Sequence, residues 1–122
     1  MIEFTVPGRP VPAVRMTKKS KFVNKQAKKY LQYKEHVGWT AKKAGVRLLD
    51  GKVCIEIVIY LCGGTHGDWD NYAKSICDGL NGIAYNDDRQ VMEGRVKIVL
   101  GVEKTEERAE VKIWEVGEEI VS

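Results

Sequence analysis

Residues 52–62, KVCIEIVIYLC, constrain the fold more than any other stretch. Val53, Ile55, Ile57, Ile59 and Leu61 face one way, and Cys54, Glu56, Val58, Tyr60 and Cys62 face the other. Strict alternation with β-branched residues defines a strand. Because both faces are largely apolar, that strand belongs at the centre of a sheet.

The rest of the chain supplies neighbours and cover. Ile2, Glu3, Phe4, Thr5 and Val6 alternate and stop at Pro7, giving a first strand. Pro7, Pro10 and Pro12 then hold an extended segment, because proline fixes φ and donates no hydrogen bond. Ala27, Tyr30, Leu31, Val37, Ala41 and Ala44 recur at helical spacing, so a helix is expected from a cap at Asn24 to about Ala44, with Gly45 ending it. A second helix is expected over 71–80, with Asp70 as N-cap and Gly82 as its stop. Strands near 95–102 and 110–116, joined by the charged turn 103–108, read as a hairpin. The order predicts an α/β (α+β) fold: a small mixed sheet of about four strands with two packed helices. At 122 residues the chain can bury one core, so 1–122 is expected to be a single domain.

No apolar run approaches the roughly 18 residues of a membrane span, and 43% hydrophobic residues make disorder a poor description. The N-terminus lacks a basic-then-apolar signal pattern, which predicts a cytoplasmic protein. Cys54, Cys62 and Cys77 all lie in apolar-patterned segments and are expected as buried free thiols.

Charge is divided unevenly. Residues 1–52 hold 13 Lys/Arg against 3 acids, and residues 53–122 hold 7 against 14. Such a split suits an anionic partner on the first half and a cation on the second.

The acids of the second half are themselves patterned. Five of six aspartates (Asp68, Asp70, Asp78, Asp87, Asp88) fall within 67–91, where no glutamate occurs. Asp68 and Asp70 follow the central strand, and in an extended turn residues two apart project to one side. Asp70, Lys74 and Asp78 stand at i, i+4 and i+8, one polar ridge of a helix. Short carboxylates are good ligands for hard divalent cations and repel one another without one. A cap needs only one of Asp68 and Asp70, whereas Asp78 or Asp87 alone is explained by a cap or turn. An EF-hand is ruled out by Tyr72, Ala73 and Gly79 at its required positions. His66 with Cys62 or His36 lacks a paired zinc motif.

The spacing D-x-D-N-x-x-K-x-x-x-D followed by D-D-x-x-V stands here as Asp68-Trp69-Asp70-Asn71, Lys74, Asp78, Asp87-Asp88 and Val91. It resembles the RusA family of Holliday junction resolvases, which is common in bacteria and prophages. The N-terminal strand and the proline-rich basic segment with Arg9 and Arg15 are also similar. The resemblance implies a RusA-like, homodimeric, Mg2+-dependent endonuclease, with Mn2+ as a substitute. It would act on four-way DNA junctions in recombination and repair, making paired symmetric nicks that leave 5′-phosphate and 3′-hydroxyl ends. Carried over by position, the essential carboxylates are Asp68, Asp70 and Asp88, with Asp87 a further candidate ligand, and the essential lysine is Lys74. Asp78 would orient that lysine. Backbone contacts to DNA would come from Arg9, Arg15, Lys18, Lys19, Lys21, Lys25, Lys28 and Lys29. Two other readings compete: a nuclease for other branched DNA, and a non-catalytic nucleic-acid-binding module whose aspartates are caps and turns.

Overall fold

The chain runs through β1 (Ile2–Pro7), α1 (Lys25–Lys43), β2 (Val53–Leu61), α2 (Trp69–Leu80), β3 (Val91–Leu100) and β4 (Arg108–Glu115). This is a computed structural model, and it describes residues 1–15 and 25–117. The expected cap Asn24 and the polar tail after Gly117 lie outside the described residues.

The strands form one mixed sheet in the order β1-β4-β2-β3. β2 is central, paired antiparallel with β4 and parallel with β3. Its central place comes from these two neighbours rather than from two covered faces. Val53, Ile55, Ile57, Ile59 and Leu61 are buried beneath both helices, in one core with Phe4, Val6, Val37, Tyr72, Ile76, Val111 and Ile113. On the other face Cys54 is buried, but Glu56, Val58 and Tyr60 are only half-buried. Arg108 covers the Tyr60 ring at 3.9 Å and bonds Glu110 at 2.8 Å, which shields part of that face. The fold is therefore a two-layer α+β arrangement, as expected.

The expected hairpin of the last two strands does not form. β2 stands between β3 and β4, because the chain leaving β3 crosses the end of β2, where Gly101 N–H donates to the Leu61 carbonyl. Burial differs accordingly. β4 buries Ala109, Val111 and Ile113 completely or nearly so, which suits an interior strand. β3 exposes Glu93, Arg95 and Lys97, charges that suit an unpaired edge. The unit β2–α2–β3 is consequently a parallel crossover, with the helix running back along the sheet.

Gly45 ends α1 as expected. It has φ of +86°, its N–H bonds the Lys42 carbonyl, and Val46 N–H bonds that of Ala41. That pair of bonds is a Schellman cap, and buried Val46 supplies its apolar contact. The buried stripe of α1 is Ala27, Tyr30, Tyr33, Val37, Gly38 and Ala41. Ala44 is exposed and Leu31 half-buried, unlike the expected set.

The two helices meet through glycine. A Cβ on Gly79 would lie 2.9 Å from Val37 Cβ and 3.0 Å from the Lys34 carbonyl, and one on Gly38 would lie 3.3 Å from the Gly79 carbonyl. None of the three cysteines is in a disulfide among the described residues, with Cys54 buried and Cys77 half-buried. Cys62 is exposed, contrary to expectation, because it lies just past the last residue of β2.

Candidate active site

α2 begins two residues earlier than expected. Asp68, not Asp70, holds the N-cap position, with φ −72° and ψ 149°, and Asp70 lies in the first turn. The Asp68 side chain makes no capping hydrogen bond. Both carboxylates are exposed at the positive end of the helix dipole, where negative charge is favoured. Trp69 between them is 62% exposed.

The loop leading to this helix start is fastened on several sides. Arg9 binds the Glu107 carboxylate and donates to the carbonyls of Gly63 at 3.2 Å and Thr65 at 3.1 Å. Gly67 N–H donates to the Tyr72 hydroxyl at 3.2 Å. A Cβ on Gly67 would lie 2.8 Å from Pro12, so the proline segment is packed directly on the loop. Ala13 N–H also bonds the Asn71 carbonyl at 2.9 Å. Glu107 is buried, and the Cys62 N–H and Arg9 hold its carboxyl below the usual glutamate value. Arg9, expected to contact DNA, is thus committed to the loop that carries Asp68.

The five aspartates divide into two groups. Asp78 accepts from the Tyr30 hydroxyl at 2.5 Å and pairs with Lys74 at 3.4 Å, both through Oδ2. Asp87 accepts from the Arg89 N–H at 2.9 Å, and Gln90 bonds back to the Asp87 N–H, which closes a capping box on the 3-10 turn Asp88–Gln90. Asp68, Asp70 and Asp88 carry no side-chain hydrogen bond or ion pair with any described residue. Of the four candidate metal ligands, Asp87 is thus engaged in its own turn.

Asp68, Asp70 and Asp88 are not in one place. Val91 pairs with Val53 and Leu100 with Leu61, so the start of β3 lies beside the start of β2, at the opposite end of the strand from Asp68. The Asp88 charge is felt by Cys77 and Tyr85, near the end of α2. Along the helix axis Asp70 stands seven positions, roughly 10 Å, before Cys77, and Asp68 further still. Accordingly no three His, Cys, Asp or Glu side chains are grouped to hold a metal ion among the described residues. The Asp70–Lys74–Asp78 ridge runs between the two acidic ends. Burial, and then the Asp88 and Asp78 charges, push the Cys77 thiol up to about 11.

Of the expected DNA contacts, Lys25, Lys28 and Lys29 are exposed on the first turns of α1, and Arg15 is exposed before it. Lys18, Lys19 and Lys21 lie outside the described residues. Lys29 helps line a cleft of about 560 Å3 whose wall includes Pro12, His66 and Gly67, the residue before Asp68. Tyr30 and Glu107 carry no sequence signal of a site role: Tyr30 falls in the apolar stripe of α1, and Glu107 is one of several acids in the turn before β4.

Exposed Asp68, Asp70 and Lys74 of α2, with the exposed lysines at the start of α1, form the candidate site. The family model for Endodeoxyribonuclease RusA matches residues 7–114, and the chain belongs to the RusA family. It is therefore an endodeoxyribonuclease of the kind that resolves Holliday junctions. Comparison with the curated proteins found no match. No helix among the described residues is long and apolar enough to cross a membrane.

Proposed function

We propose that the protein cuts four-way DNA junctions by paired symmetric nicks, leaving 5′-phosphate and 3′-hydroxyl ends, with Mg2+ as its cofactor and Mn2+ as a substitute. One observation carries this reading: among the described residues the Asp68, Asp70 and Asp88 side chains have no hydrogen-bond or ion-pair partner, while Asp78 and Asp87 are bonded. A carboxylate serving only as a cap or turn would resemble Asp87. The donor set suits a hard divalent cation, since all three offer short, exposed carboxylate oxygens. When bound, such an ion supplies a more acidic water and neutralises charge on the phosphoryl group.

One protomer contributes Asp68 and Asp70 at one end of α2 and Asp88 beyond the other. A two-fold dimer that sets the α2 helices side by side and antiparallel brings each Asp88 beside the partner's acidic pair. The homodimer is thus part of the proposal: it completes each site and presents two sites to the two-fold symmetry of the junction. Lys74 lies between the acidic ends and supplies a compact positive charge for the crowded oxygens of the reacting phosphate. Arg15, Lys25, Lys28 and Lys29 hold the DNA backbone, and Arg9 acts by fixing the loop before Asp68. The chain works as one domain in the cytoplasm of a bacterium, encoded by the chromosome or a prophage.

The test is cleavage of a synthetic four-way junction against plain duplex and a flap, each with Mg2+ and with EDTA. Wild type should nick the junction selectively and only with the metal. Asp70→Asn and Lys74→Ala should be slower by at least about 100-fold. Equal rates in both variants would remove the catalytic assignment. Preference for the flap would transfer the activity to other branched DNA, and binding without nicking in any divalent cation would leave a binding module.

A further inference from the structure

We propose that Tyr30 is a positioning residue for Lys74, acting through Asp78, so that α1 sets where the lysine of α2 stands. The proposal rests on the nuclease reading above.

Lys74 is exposed over 61% of its side chain, and a flexible four-carbon stem does not hold one position unaided. Its ammonium pairs with Asp78 Oδ2 at 3.4 Å. A surface pair at i, i+4 is worth little by itself, because both partners are free to turn away. Here one partner is not free. The Tyr30 hydroxyl donates to the same oxygen at 2.5 Å, and Tyr30 is itself buried to 3% exposure. Lys34 lies over the Tyr30 ring at 5.2 Å and covers its outer side. Burial and the Asp78 carboxylate raise the Tyr30 phenol well above its ordinary value, so it stays a donor throughout the working pH range.

The link between the helices is fixed by the backbone. Gly38 and Gly79 let α1 and α2 approach within the space of a missing side chain, and Gly79 directly follows Asp78. A buried tyrosine, a helix crossing set by glycine and a carboxylate shared by two donors turn a weak surface pair into a fixed mount for the lysine. A solely structural hydrogen bond would need no lysine on the shared oxygen. A lysine serving only for solubility would need no buried donor behind its partner.

The test compares wild type, Tyr30→Phe and Asp78→Asn. Tyr30→Phe removes one oxygen atom and keeps the ring packing. Junction binding without metal should stay within about twofold of wild type, and single-turnover cleavage should fall about tenfold, as expected for losing a hydrogen bond to a charged group. Carbon relaxation at Lys74 Cε should show a lower order parameter in Tyr30→Phe, approaching that in Asp78→Asn. Wild-type cleavage by Tyr30→Phe, or an unchanged Lys74 order parameter in both variants, would overturn the proposal. Should the wild type cut no DNA, the nuclease reading falls, and the order parameter still decides whether Tyr30 mounts the lysine.

Discussion

Arg9 and Glu107, 98 positions apart in the chain, close on one another and hold the loop that leads into Asp68. The carboxylate also accepts the Cys62 N–H at 3.0 Å, so one buried acid ties together the proline segment, the end of β2 and the start of β4. Its carboxyl is held below the ordinary glutamate value of 4.5. A lowered folded value means that the stabilisation is complete above pH 4.5 and is lost as pH falls through the lowered value. Wild type should therefore melt above Glu107→Gln at neutral pH, and the gap should close progressively below pH 4.5. A gap that stays constant down to pH 3 would show that charge on Glu107 contributes nothing.

The separation of Asp88 from Asp68 and Asp70 predicts complementation. Asp70→Asn and Asp88→Asn homodimers should each be inactive. Mixed and allowed to exchange subunits, they should form heterodimers with one intact site, which nick junctions on one strand without resolving them. No recovery of nicking in a mixture with proven exchange would place each complete site within one protomer.

Removing a carboxylate that faces phosphate should not weaken binding. In EDTA, Asp70→Asn should bind a four-way junction at least as tightly as wild type in a gel-shift titration, since one repulsive charge is gone. A tenfold loss of affinity would indicate that Asp70 faces away from DNA.

Gly79→Ala tests the helix crossing. In an isolated helix alanine would be favoured by roughly 1 kcal/mol. Here its Cβ would stand 2.9 Å from Val37 and 3.0 Å from a backbone carbonyl, so the helices must part. Overpacking of this kind costs about 1–3 kcal/mol and should outweigh the propensity, lowering Tm by several degrees. Cleavage should fall too, because Tyr30 retreats from Asp78. A stabilised variant would mean that the crossing relaxes freely.

The thiols should differ sharply in reactivity. Cys62 is exposed, Cys54 is buried, and the half-buried Cys77 has its thiol pushed up to about 11. At pH 7.5 an alkylating reagent should modify Cys62 quickly and Cys77 only slowly, because the thiolate is the reactive form. Peptide mapping by mass spectrometry reads this directly, and equal labelling of Cys77 would contradict its burial.

Local patterning determined much of this protein. The alternation of 52–62, the stop at Gly45 and the helical spacing of Tyr72, Ile76 and Leu80 each report interactions within a few residues, so strand, cap and helix were legible. The contacts of Asp87 with Arg89 and of Asp78 with Lys74 are local in the same way, within four positions. Which strands pair is decided by packing over long distances: β3 and β4 carry similar alternation, and only their burial in the sheet separates edge from interior. That choice made the β2–α2–β3 crossover and put Asp88 near the C-terminal end of the helix, away from Asp68, although the resemblance groups the two as essential carboxylates. Tyr30 and Arg9 acquired their partners in the same way, through contacts between elements 48 and 98 positions apart that no local pattern encodes.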